Sequence, residues 1–322
     1  MKAATPVPSG DAAKLAEILQ DAVAMLRDAE VLDREPPLPA RMEPSLLQQC
    51  LDLCRGGVER AVEPVRTVHH FACSGGTLIS KCIAAMPNVQ LLSEVDPLSR
   101  HARSATPIFA PTDMLLAARQ GTRPAEQQAQ VDLFLAGLQV LHQQTRERGG
   151  YLVLRDHSHS HFCSDPDPDP SHRPTLREIV ATRHRTLSVV TVRHPAHSFR
   201  ALQAHGWITF HPPTLDEYSR RYLDFLARYR DCPVVRYEAF VRDPRAAMQA
   251  ICAGLELPYV DGFERLFPVF RLTGDSGRGG NRIAPRADRP LDDALRAEMA
   301  ASANYARLVE QLGYDSGGKI DG

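Results

Sequence analysis

Residues 65–97 read VRTVHHFACSGGTLISKCIAAMPNVQLLSEVDP, and the fold is decided there. An apolar run, Val65 to Ala72 with Val68 and Phe71, leads into Ser74-Gly75-Gly76-Thr77. Leu78, Ile79, Cys82, Ile83 and Met86 then recur at helical spacing until Pro87-Asn88 stops the helix. A second strand-like run, Val89 to Ser93, delivers Glu94 and Asp96 at its end. Strand, glycine turn, helix, strand is the layout of a phosphate-binding βαβ unit. Glycines let backbone approach an anion, and a helix start offers unpaired N–H groups and the positive end of a dipole. Glu94 would leave a parallel strand at the same crevice.

Composition narrows the alternatives. The chain has 322 residues and a net charge of −1, enough length for a sizeable core and no basic footprint for a nucleic-acid partner. Seven cysteines, an odd number scattered through apparent helices and strands, read as reduced thiols. Cys50 and Cys54 lie one helical turn apart, but no second pair completes a zinc set. The start, MKAATPVPSGD, lacks the apolar core of a signal peptide, and no apolar run approaches the ~18–20 residues of a membrane span. A cytoplasmic protein with no membrane contact is expected.

Before the glycine turn, Asp11 caps an amphipathic helix with Leu15, Ile18, Leu19, Ala22, Met25 and Leu26 on one face. REPPLPAR breaks it, and a second helix runs from about Pro44 to Arg60. Residues 1–62 therefore read as an N-terminal helical extension, packing on the main domain or making a homodimer. Residues 63–316 read as the main domain and 317–322 as a flexible tail. After Glu94, DPLSRHARSATPIFAPTD looks like a surface loop over the site. A long helix is expected over Ala125–Arg148, and YLVL is a buried strand ending at Arg155-Asp156. His157, His159 and His161 follow, on one side if the segment is extended, and DPDPDP marks an exposed loop. TLSVVTV, Thr186 to Val192, is a further buried strand ending at Arg193-His194. Helices are expected over 196–205, 215–230 and 244–254, with the strand PVVRY between the last two. Strands alternating with helices predict an α/β fold: three layers, with a central, mainly parallel sheet flanked by helices. Ligands of such sheets sit beyond the carboxyl ends of the strands.

The turn is not a Walker A loop, because the lysine before the hydroxyl is missing and Lys81 lies one turn too far along. SGGTLISKCIAAMPNVQLLSE instead resembles the opening of the sulfotransferases that use 3′-phosphoadenylyl sulfate, closest to bacterial members and tyrosylprotein sulfotransferases. Those carry S-G-T-T-L, a helix, H-P-x-V and a catalytic glutamate at the distance of Glu94 to within a residue. TVRHPAHSFRA is similar to the family's strand-loop-helix that binds the 3′-phosphate. VVRYEAFVRDPRAAMQAICAGLELPY is similar to its Y-E-x-L-V-x-x-P helix entry, and GDSGRGGNRIAPR to the C-terminal loop over the nucleotide. The matches run in order from about residue 67 to residue 314.

The resemblance implies a P-loop-type fold and transfer of a sulfuryl group from 3′-phosphoadenylyl sulfate, as co-substrate, to a hydroxyl acceptor, without a metal. Glu94 would be the general base, and Ser74, Gly75, Gly76 and Thr77 would cradle the 5′-phosphosulfate. Arg193 would hold the 3′-phosphate, Tyr237 would contact the nucleotide, and Ser276, Gly277 and Arg278 would wrap the phosphate side. The family places lysine or arginine where this chain has Cys73. Arg155, in the place of the lysine of K-D-P-F, would supply the charge, with Asp156 orienting it. The alternative is a non-catalytic relative that binds nucleotide or a partner. The histidines lack a firm further ligand for a metal, and DPDPDP lacks the glycine and closing glutamate of a calcium loop.

Overall fold

The computed structural model describes residues 17–25, 62–99, 112–164, 172–274, 282–285 and 291–317. The chain falls into two compact units, Met1–Glu63 and Pro64–Gly322. In the first, residues 17–25 are helical, within the helix expected from Asp11. Cys50, Cys54, the second expected helix and DPDPDP lie outside the described residues, as does most of the loop after Glu94.

The second unit is built on five strands: β1 Val65–His70, β2 Val89–Val95, β3 Tyr151–Asp156, β4 Thr186–Val192 and β5 Val234–Arg236. Their order is β2-β3-β1-β4-β5, and every pairing is parallel. The helices are α1 Gly76–Ala84, α2 Met114–Gln120, α3 Gln127–Glu147, α4 Ser158–Phe162, α5 Leu176–Ala181, α6 Pro195–Ala204, α7 Leu215–Arg228, α8 Tyr237–Arg242, α9 Pro244–Gly254, α10 Phe263–Leu266, α11 Asp293–Ala301 and α12 Ala303–Leu312. Several starts are written in the sequence. Thr175 and Glu178 form a reciprocal capping box at α5, and Asp113, Thr214, Asp243, Asp292 and Ser302 each accept a backbone N–H at their helix starts.

Strands β1, β3 and β4 are buried on both faces, as the centre of a parallel sheet covered twice requires. Alternation sorts their side chains into layers. Val68, Val153 and Val189 pack with Ile79, Cys82 and Ile83 of α1 and with Met248 and Ile251 of α9. On the opposite face, Leu152 and Leu154 pack with Leu135 and Leu138 of α3 and with Ile179 of α5. Val190 and Val192 join Phe199 of α6, Tyr222 and Phe225 of α7, and Leu308 of α12. The fold is three-layered α/β.

The condition for placing the three histidines on one side is not met. The segment carrying His157, His159 and His161 is not extended: Ser158–Phe162 is a short helix. Ser160 N–H and Cys163 N–H donate to the carbonyls of His157 and His159. His157 stacks near His159, and His161 is buried flat against Phe162.

Candidate active site

Strand β1 ends at His70, and residues 71–75 turn the chain into α1. Cys73 and Gly75 take left-handed backbone, with φ of 60° and 86°. The turn closes on the Phe71 carbonyl, which accepts from Ser74 N–H at 3.2 Å and Ser74 Oγ at 2.8 Å. Ser74 thus spends both donors inside the turn. The N–H groups of Gly76 and Thr77, in the first turn of α1, have no intrahelical acceptor. Lys81 lies in the last turn of α1, at the far end from the cradle. An aromatic floor supports the turn: Phe71 stacks on Tyr222 with ring centres 4.3 Å apart, and Tyr218 Oη donates to the Ala72 carbonyl at 3.2 Å. Burial pushes the Tyr218 phenol well above its ordinary pKa, so it stays a donor.

Two arginines reach the turn from different strand ends. Arg193 follows β4; its Nη1 donates to the Cys73 carbonyl at 3.4 Å, and its guanidinium lies over the Tyr237 ring, 5.0 Å from the centre. Its Nε is buried without a hydrogen-bond partner. Tyr237 in turn presses on the turn, since a Cβ on Gly75 would stand 2.2 Å from its ring. A bulky residue at 75 is excluded both by φ and by space. Gly76 is different. Its backbone is ordinary helix, but a Cβ there would stand 2.3 Å from the His70 imidazole.

Arg155, at the end of β3, is buried and ringed by acceptors. Its Nη2 donates to Thr77 Oγ1 at 3.1 Å and to His70 Nε2 at 3.0 Å, and its Nη1 to Ser93 Oγ at 2.8 Å. The same Nη1 pairs with Glu94 Oε1 at 2.7 Å. One guanidinium therefore joins the glycine turn to the carboxylate.

Glu94 does not follow its strand but sits inside it. The pairing of β2 with β3 shifts register between Leu92 and Val95, and Glu94 takes φ 59°. Such a bulge re-aims a side chain, and here it brings the carboxylate to Arg155, with His157 Nε2 at 3.4 Å from the other oxygen. Thr273 and Gly274 cover it. Thr273 exchanges two bonds with Ser93, at 2.7 and 2.9 Å, and a Cβ on Gly274 would stand 2.1 Å from the Glu94 carboxylate. Ser276, Gly277 and Arg278, just beyond, lie outside the described residues.

Asp156 does not orient Arg155. Alternation along β3 sends it to the opposite layer, where its carboxylate accepts from His69 Nδ1 at 2.8 Å, Ser158 Oγ at 3.0 Å and Tyr229 Oη at 3.1 Å. Burial alone would raise its pKa, but the hydrogen bond and charge of His69 hold it below the ordinary carboxylate value. The sequence reading missed His70, Ser93 and Thr273. For His70 the one available signal was a histidine in a strand otherwise built of buried residues. Among the described residues no group of histidine, cysteine or carboxylate side chains could hold a metal ion, and no helix is long and apolar enough to cross a membrane.

Fold and site define an α/β protein organised around a glycine turn at the head of a parallel sheet. A model of the sulfotransferase family matches residues 71–261, more than half of the chain, and the chain belongs to that family. Among solved structures it is similar to the sulfotransferase domain from the curacin biosynthetic pathway, with 15% identity, 80% of this chain and 99% of that one covered, and a TM-score of 0.45. It is similar to sulfotransferase STF9 from Mycobacterium avium, with 16% identity, 99% and 100% covered, and a TM-score of 0.44. For mouse sulfotransferase SULT7A1 complexed with PAP the values are 10% identity, 64% and 62% covered, and 0.36. No curated protein matches the chain.

Proposed function

We propose that the chain moves a sulfuryl group from 3′-phosphoadenylyl sulfate to a hydroxyl acceptor. The acceptor oxygen attacks sulfur in line, the bond from sulfur to the 5′-phosphate oxygen breaks, and Glu94 takes the acceptor proton. Adenosine 3′,5′-bisphosphate leaves. Such a reaction is mainly positioning and electrostatic stabilisation. The observation that carries the reading is the placement of Arg155, whose guanidinium touches both Thr77 of the turn and the Glu94 carboxylate. A group held between them would have a cation on one side and a base beside it.

The residues present fit the donor. Gly75 and Gly76 let Tyr237 and His70 pack close against the turn, and the N–H groups of Gly76 and Thr77 with the Thr77 hydroxyl would meet the donor's phosphosulfate at the start of α1. The orphaned Nε of Arg193, beside Tyr237, would meet the 3′-phosphate, and Ser276, Gly277 and Arg278 would close over the phosphates. Ser74 shapes the turn rather than donating to the ligand. The site uses no metal in this reading.

Calorimetry with adenosine 3′,5′-bisphosphate tests it. Arg193→Ala should weaken binding about 10- to 100-fold, the worth of a charge-assisted hydrogen bond or two; unchanged affinity removes Arg193 from the site. Glu94→Gln should leave that affinity within a few-fold and reduce transfer to a phenol by about 10²–10⁴. Wild-type protein that binds the bisphosphate and sulfates no hydroxyl would instead be an interaction module, the reading that the neutral Cys73 favours.

A further inference from the structure

We propose that His70 is a positioning residue, whose imidazole holds the Arg155 guanidinium against the glycine turn without adding a second negative charge beside it. The role rests on the donor site argued above. The turn itself, residues 72–77, carries no basic side chain. Arg155 is the cation that reaches Thr77, and what fixes it on that side is His70. Nε and Nη2 of Arg155 lie 3.3 and 3.0 Å from His70 Nε2.

An arginine only donates, so Nε2 must offer its lone pair and the ring must be neutral, protonated on Nδ1. The surroundings enforce that state. Burial, and then the Arg155 charge, hold the His70 pKa well below its ordinary value; His69 and His157 add to this, and only Asp156 opposes. A carboxylate in the same place would hold the guanidinium equally firmly, but with Glu94 already paired to Nη1 it would make the cluster net negative.

Two further features show that the local backbone is shaped to this ring. Gly76 has no conformational need to be glycine, since its φ is not in the left-handed region. It needs to lack a Cβ, because the imidazole occupies that space at 2.3 Å. The Nδ1–H group is buried and unpartnered, a cost that an apolar filler would not incur. The chain carries an orphan donor in order to keep an acceptor facing Arg155.

Two measurements on wild type, His70→Ala, His70→Gln, Arg155→Ala and the His70→Ala/Arg155→Ala double variant test this. Ring ¹⁵N shifts of the nucleotide-free protein should show His70 as the Nδ1–H form, with no titration near the usual value of about 6.5, and Arg155→Ala should shift any titration upward while burial still holds it below that value. The second readout is the preference for 3′-phosphoadenylyl sulfate over adenosine 3′,5′-bisphosphate, which isolates the grip on the sulfuryl group. His70→Ala should reduce that preference about tenfold (about 1.4 kcal/mol), and His70→Gln, which keeps a neutral acceptor, by less than about threefold. In the Arg155→Ala background, loss of His70 should change it by less than about twofold. A wild-type ring that titrates normally, or His70 and Arg155 effects that simply multiply, would overturn the proposal. If wild type binds neither nucleotide, the donor reading fails, and the ring titration still decides whether His70 holds Arg155.

Discussion

Replacing Gly76 with alanine should destabilise the protein, although on a helix it would ordinarily stabilise. Alanine exceeds glycine in helix propensity by about 1 kcal/mol, and Gly76 opens α1 with ordinary helical backbone. The new Cβ, however, would lie 2.3 Å from Cδ2 and Cγ of His70 and 2.6 Å from Nδ1. Optimal carbon–carbon separation is about 3.5–4.0 Å, so the ring must retreat by more than about 1 Å. Cγ is bonded to the Cβ of a strand residue paired with Thr191 of β4, so no flexible end can yield. Overpacking costs about 1–3 kcal/mol, and withdrawing Nε2 from Arg155 forfeits hydrogen bonds to a charged group worth about 1.5–3 kcal/mol. After the propensity gain, a net loss of about 1.5–5 kcal/mol is expected. In a His70→Ala background the clash and the bond are both gone, and Gly76→Ala should be neutral or stabilising by up to about 1 kcal/mol. Urea unfolding of the four proteins, with equal m-values, reads the sign change directly. The same penalty in both backgrounds would falsify the account. Gly75→Ala is the control: Tyr237→Ala relieves its clash but not its φ of 86°, so about 1–2 kcal/mol of left-handed strain remains.

Two other perturbations follow from buried charge. Arg173 and Asp96 form a two-pronged ion pair at 3.0 and 3.1 Å with both side chains almost fully buried; Arg173→Met should cost about 3–5 kcal/mol, and a loss below about 1 kcal/mol in thermal unfolding would mean that the pair is solvated. The His70 pKa is lowered in the folded state, so below about 6.5 the unfolded chain binds the extra proton and stability falls as pH falls, by up to about 1.4 kcal/mol per pH unit from this residue. His184 and His194 are lowered by burial as well, so His70→Gln should flatten the wild-type slope by one proton rather than abolish it; an unchanged slope between about pH 6.5 and 5 would contradict a neutral buried His70.

The sheet was legible because its strands are local. Thr186–Val192 is read residue for residue from an apolar run bounded by polar ends. Glu94 was legible as a carboxylate at the crevice, but not as part of a bulge, because the register shift depends on β3, whose sequence lies far away. The alternating histidines after Asp156 mimic a strand, and only the local carbonyl bonds of His157 and His159 turn them into a helix. Arg155 and Asp156 are adjacent in sequence and so suggest joint action, yet strand alternation drives them to opposite layers. His70 was missed for the same reason in reverse: its partner is 85 residues away, and nothing beside it in the chain hints at an arginine.

The choice of imidazole at position 70 has an electrostatic logic. Arg155 offers two edges. Nη1 is taken by the Glu94 carboxylate at 2.7 Å, which already balances the charge of the pair. The Nε–Nη2 edge also needs an acceptor, since a buried guanidinium with unpaired donors is costly. An acidic side chain there would make the three-group cluster net negative beside the cradle. At about 4 Å and an effective dielectric of about 20, each unit of charge is worth about 4 kcal/mol, enough to repel the anion that the turn would receive. The neutral ring fills the edge and leaves the balance at zero, so the helix start and Arg193 set the sign of the field. The Glu94 carboxylate and the glycine turn then share one cation, and the cost falls instead on Gly76 and the orphan Nδ1–H of His70.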